Sequence, residues 1–89
     1  MRGEYLDPNG KDPDELAAQE IARIIRAGGT PHIVNMWLDG AVVGFRVWCN
    51  HKPAREFQCA PMKLSPVQAG VLKAMILGVG RVWGNRRGR

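Results

Sequence analysis

Two turn signals, Asp39-Gly40 and Asn50-His51-Lys52-Pro53, divide residues 32–60 into three segments rich in β-branched and aromatic residues. Strands joined by links this short run antiparallel, since a parallel crossover needs about a dozen residues or more. The stretch therefore reads as a three-stranded meander. A two-residue turn at Asp39-Gly40 sets Leu38 opposite Ala41, and Val34 and Met36 opposite Phe45 and Val43. In the second hairpin a link of about three residues, His51 to Pro53, places Phe57 and Cys59 beside Val47 and Phe45 and keeps Glu56 and Gln58 out of the core. The expected core face is Val34, Met36, Leu38, Val43, Phe45, Val47, Cys49, Phe57 and Cys59, and the open face is Ile33, Asn35, Trp37, Val42, Arg46, Trp48, Glu56 and Gln58.

A helix is expected on each side of the meander. Asp12 can cap, Pro13 suits the first helical position and Glu15 stands at capping-box spacing. Ala17, Ala18, Ile21, Ile24 and Ile25 then form one apolar stripe, and Gly28-Gly29 ends the helix. Ser65-Pro66-Val67-Gln68 repeats the start signal. The apolar positions from Val67 to Trp83 cover more than half of the second helix's circumference, wider than one sheet needs. Gly78 and Gly80 either end it near Leu77 or are carried through at about 1 kcal/mol each relative to alanine. The fold class is α+β, one small domain of α-β-β-β-α order with both helices packed on one face of the sheet. Residues 1–11 are expected as a flexible arm, 12–83 as the domain and 84–89 as a basic tail.

Charge is distributed unevenly along the chain. The formal net charge is +5, yet six of the eight acids fall within the first twenty residues, and positions 21–89 hold eleven basic residues against Asp39 and Glu56, a balance of +9. A basic surface of this kind suits a nucleic-acid partner. There is no apolar run of bilayer-spanning length and no signal-peptide pattern at the N-terminus, so no membrane partner and a cytoplasmic setting are expected. Two cysteines are too few for a disulfide scaffold and read as packed thiols.

The inventory of reactive groups is poor. Ser65 is occupied as a cap and Thr30 precedes a proline. Cys49 and His51 stand two apart with no third group to orient them. Cys49 and Cys59 fall roughly 13 Å apart by strand rise, too far to share a zinc ion. No enzyme, metal or cofactor is expected.

The order of elements over about residues 13–80 resembles the double-stranded RNA-binding domain in topology and length. That family carries a lysine-rich cluster at the start of its second helix, where this chain has Ser65-Pro66-Val67-Gln68-Ala69-Gly70, and a Gly-Pro-x-His loop between its first two strands, where this chain has Asp39-Gly40. The resemblance is one of architecture, which does not transfer function. It implies Arg23, Arg26 and Lys63 as the nearest phosphate contacts.

The leading expectation is a non-enzymatic nucleic-acid-binding module, for RNA or DNA. Arg23, Arg26, Arg46, Lys63, Arg81, Arg86, Arg87 and Arg89 would meet phosphates, and Trp37 and Trp48, beside Ile33, would form a stacking patch on the open sheet face. The alternative is a small adaptor or inhibitor that binds protein, as a homodimer, through Val71, Met75, Leu77, Val82 and Trp83 of the second helix and through the tryptophan-bearing face.

Overall fold

The computed structural model describes residues 12–50 and 52–85. The expected N-terminal arm, His51, Arg86, Arg87 and Arg89 lie outside the described residues. The elements are α1 (Pro13–Arg26), β1 (His32–Leu38), β2 (Ala41–Trp48), β3 (Arg55–Met62) and α2 (Pro66–Asn85), with the strands in the order β1-β2-β3, all antiparallel. This is the α+β architecture expected, with α1 lying over β2 and β3 while α2 packs along α1 and touches β1.

All but one of the local signals act as their chemistry requires. At the end of α1 the Gly29 N–H donates to Ile24 O and the Gly28 N–H to Ile25 O, both at 2.9 Å, with Gly28 at φ 87°, a Schellman closure. Asp39 and Gly40 both have positive φ, as the tight hairpin turn demands. The start of α2 forms a complete capping box: the Gln68 N–H donates to Ser65 Oγ at 3.1 Å, and the Ser65 N–H donates to Gln68 Oε1 at 3.0 Å. Asp12 occupies the equivalent position before α1, but its side chain makes no capping bond. Of the two readings left open for the glycines of α2, the helix carries Gly78 and Gly80 through and runs on to Asn85.

The register of β1 departs from expectation. Leu38 pairs with Ala41 and Trp37 with Val42, as the turn dictates, but Met36 then pairs with Gly44, so Val43 is an unpaired extra residue. A bulge of this kind reverses the faces of everything beyond it. Ile33 is buried in the core where Val34 was expected, and Val34 is exposed opposite Arg46. Leu38 is 61% exposed at the hairpin tip, and Val42 replaces Val43 in the core. Gly44 shows why the bulge is tolerated there. A Cβ on it would lie 2.6 Å from Phe57 O and 2.6 Å from Met36 Cε, so β3 approaches β2 closer than a side chain would permit.

The reversal also turns Asn35 inward, where its Nδ2 donates to Ala69 O at 3.1 Å and pins the first turns of α2 to β1. In the second hairpin Phe57 faces Phe45 and Glu56 faces Arg46, so the inward parity is as expected but the pairing lies two residues further along. The link is accordingly longer than three residues, spanning 49–54.

Phe45, Ile21, Val42 and Val47 are the largest fully buried side chains. The two helices meet through small residues. A Cβ on Gly80 would lie 2.5 Å from Ile21 Cγ2 and 2.8 Å from Ala18 O, and one on Gly84 would lie 2.8 Å from Ile25 Cβ. Since Gly80 meets residues 18 and 21 and Gly84 meets 22 and 25, the helices run parallel.

Candidate nucleic-acid interface

Parallel packing brings the last turns of both helices to one end of the molecule. α1 carries its arginines there, Arg23 and Arg26, and the Arg26 Nη2 donates to Trp83 O at 3.4 Å, tying the two helix ends together. Arg55, the first residue of β3, faces Val47 near the end of β2, so the link carrying Lys52 belongs to the same end. Arg81 is exposed one turn before the end of α2. The acids Asp12, Asp14 and Glu15 are exposed at the opposite end of α1. The molecule is therefore electrically polarised along its helices.

A groove of about 640 Å³ opens beside this basic end, between α1, the start of β3 and Trp83. Its centre is Glu20, a carboxylate only 5% exposed. Arg23 Nε donates to Glu20 Oε1 at 3.0 Å, Arg23 Nη2 donates to Oε2, and Arg55 Nη1 donates to Oε1 at 3.1 Å. The hydrogen bond from Arg23 holds the Glu20 carboxyl below its ordinary range; burial opposes this, and the charge of Arg23 and then Arg55 reinforces it. Arg55 also lies over the Phe57 ring at 5.4 Å from the centroid. Glu20 thus fixes two guanidinium groups whose side chains remain more than half exposed. With Arg26 the groove offers three cations against Glu15 and Glu20, and its apolar wall is Leu16, Phe57 and Trp83.

The other expected contacts are placed elsewhere. Arg46 lies on the open sheet face and is tied to Glu56 through its Nε at 3.0 Å. Lys63 is exposed in the link between β3 and α2, away from the basic end. Ile33 is buried, so it forms no part of a surface patch. Trp48 stacks on His32 on the open face, with centroids 5.4 Å apart, and borders a shallow pocket with Val34, Arg46 and Lys52. Trp37 is 46% exposed and lines a different pocket, with Met36, Val43, Glu56 and Gln58, so the two tryptophans do not assemble into one patch. On α2, Val71, Met75 and Val82 point outward, whereas Leu77 and Trp83 pack against the core.

Arg55, Phe57 and Glu20 complete the groove and were absent from the sequence-based set of contacts. Glu20 carried a readable signal: it stands three residues after Ala17 and four before Ile24, on the apolar stripe, and a carboxylate there requires a cationic partner. Arg55 has the parity of Phe57 and Cys59, which makes it that partner from the sheet.

Cys49 and Cys59 are free and half-buried, and burial pushes the Cys59 thiol up, with a smaller contribution from Asp14. Among the described residues no three His, Cys, Asp or Glu side chains converge as metal ligands, and no helix is long and apolar enough to cross a membrane. Comparison of the chain with protein-family models, curated proteins and solved structures finds no match.

Proposed function

We propose that the protein is a non-enzymatic nucleic-acid-binding module that engages its ligand at the basic end. The observation that carries this reading is the convergence of Arg23, Arg26 and Arg55, from two elements, on one groove walled by Phe57 and Trp83. Guanidinium groups held in place by a buried carboxylate are preorganised donors for phosphate oxygens. An aromatic wall beside them suits an unstacked base, the chemistry by which single-stranded segments are held. Arg81 and Lys52 are further exposed cations at this end of the molecule, and the sequence continues from Asn85 into Arg86, Arg87 and Arg89. Arg46 is partnered on the other face and supplies no contact to this surface.

Fluorescence anisotropy with end-labelled single-stranded RNA, single-stranded DNA and duplex DNA tests the proposal. Binding at low ionic strength is expected, strongest for a single strand. The logarithm of the association constant should fall by about 0.7 per phosphate contact for each unit of log salt on a single strand. Absence of binding to any of the three probes at low salt overturns it.

A further inference from the structure

α2 turns Leu72, Ile76, Leu77 and Trp83 toward the core yet leaves a second apolar face in solvent. It buries Ala69, Ile76, Gly80 and Gly84, while Val67, Val71, Met75, Val79 and Val82 stand between 41% and 76% exposed. A helix that is apolar on every side is ordinarily buried on every side. Among the described elements none covers this face, although Asp14 and Glu15 of α1 border it at Met75 and Val79, and the side chains of the stripe itself carry no charge.

The outward stripe is Val67, Val71, Ala74, Met75, Gly78 and Val82; any helical stripe keeps its spacing when reversed, here about the midpoint between Ala74 and Met75, so side-chain size decides the pairing. Two such helices laid antiparallel about a two-fold axis through that midpoint set Val67 opposite Val82 and Val71 opposite Gly78, with Ala74 and Met75 of both copies at the axis. Large then faces small: no atom lies within 4 Å of the Cβ position at Gly78, which leaves room for the valine. A parallel pair would instead set valine on valine and glycine on glycine, leaving a gap at each Gly78. Isologous contacts need this kind of self-complementary surface.

We infer that the outward face of α2 is a homodimer interface, closed by a second copy of this chain in antiparallel orientation. A helix of this length is about 30 Å long and about 10 Å across, which gives a footprint of roughly 300 Å² per copy. A standard stable interface buries about 800 Å² per partner. The stripe falls well below that size, so the contact it offers is a weak, reversible one that forms only at high protein concentration.

Sedimentation velocity of the full chain, from low micromolar to several hundred micromolar, should show a concentration-dependent shift from monomer to dimer. Val71→Glu should move that shift to concentrations higher by about tenfold or more, because it buries an unpaired carboxylate. Its circular dichroism should match the parent, since Val71 is exposed in the monomer. Orientation is read with Val67→Cys and Val82→Cys chains, each with Cys49 and Cys59 replaced by serine, and a short bismaleimide: the mixture should cross-link, and neither chain alone. A strict monomer across the range, a dimer indifferent to Val71→Glu, or cross-linking of either single variant in preference to the mixture overturns the inference.

Discussion

A methyl group on Gly80 would meet Ile21 and the backbone of Ala18 at 2.5–2.8 Å, whereas one on Gly70, in the same helix, would meet nothing within 4 Å. The two glycines separate packing from propensity. Gly80→Ala is expected to lose about 1–3 kcal/mol by forcing α1 and α2 apart, and Gly70→Ala to gain about 1 kcal/mol from helix propensity; urea denaturation of the two variants checks both signs. Glu20 allows a second prediction at this scale. Its carboxyl titrates below the ordinary value of 4.5 in the folded chain. The stabilisation it brings is therefore complete above that value and is lost as pH falls through the depressed one. Glu20→Gln should cost about 1 kcal/mol at neutral pH, a figure held low because its arginine partners are largely solvated. The gap between variant and parent should close as the urea midpoint is followed from pH 7 down through the acid range. Glycines show best what a sequence conceals: nothing in the pattern of α2 separates Gly70 and Gly78, where an added methyl group would meet no neighbouring element, from Gly80 and Gly84, whose missing side chains set the distance between two helices.

Helix ends and turns were legible because their chemistry is local, and one comparison of caps tests how far. Ser65 and Gln68 exchange two hydrogen bonds, so Ser65→Ala should cost about 1 kcal/mol. Asp12→Ala should change stability little, because the Asp12 side chain makes no capping bond although it occupies the same position before its helix. Thermal melts of the two variants decide the point. Strand register was less legible, for a non-local reason. The Asp39-Gly40 turn fixed the first two pairs of the hairpin correctly. The alternation of Val34, Met36 and Leu38 offers an apolar face as good as that of Ile33 and its neighbours, so parity alone cannot reveal the unpaired Val43. The bulge answers to two contacts that span the fold: β3 crossing close over Gly44, and Asn35 reaching Ala69 on α2. The second hairpin kept its parity because Glu56 and Gln58 oppose burial, but a shift by two residues leaves parity unchanged and escapes that test.

At the scale of the molecule, the direction of the helices decides where charge collects. Arg23 and Arg26 in the last turn of α1 are ordinary when taken alone, since each complements the helix dipole. The parallel arrangement set by Gly80 and Gly84 brings Arg23, Arg26 and Arg81 to one end of the molecule, with Arg55 brought in by β3, while Asp12, Asp14 and Glu15 stand at the start of α1. Half of the candidate site was thus visible as arginines on a helix; the other half, Arg55 with Phe57 and Trp83, depends on a strand pairing two residues from the expected one and on how α2 packs along α1. Two substitutions of equal charge separate a localised basic end from a diffuse excess of cations. Arg26→Ala and Lys63→Ala each lower the formal charge from +5 to +4. If attraction followed net charge alone, the two would weaken nucleic-acid binding equally. With phosphates seated at the basic end, Arg26→Ala should reduce the slope of log affinity against log salt by about 0.7, and Lys63→Ala should leave it close to the parent. Paired salt titrations of the two variants, with one labelled single strand, measure the difference. Equal slopes would remove the groove from the binding surface and leave only the chain's overall charge to hold the ligand.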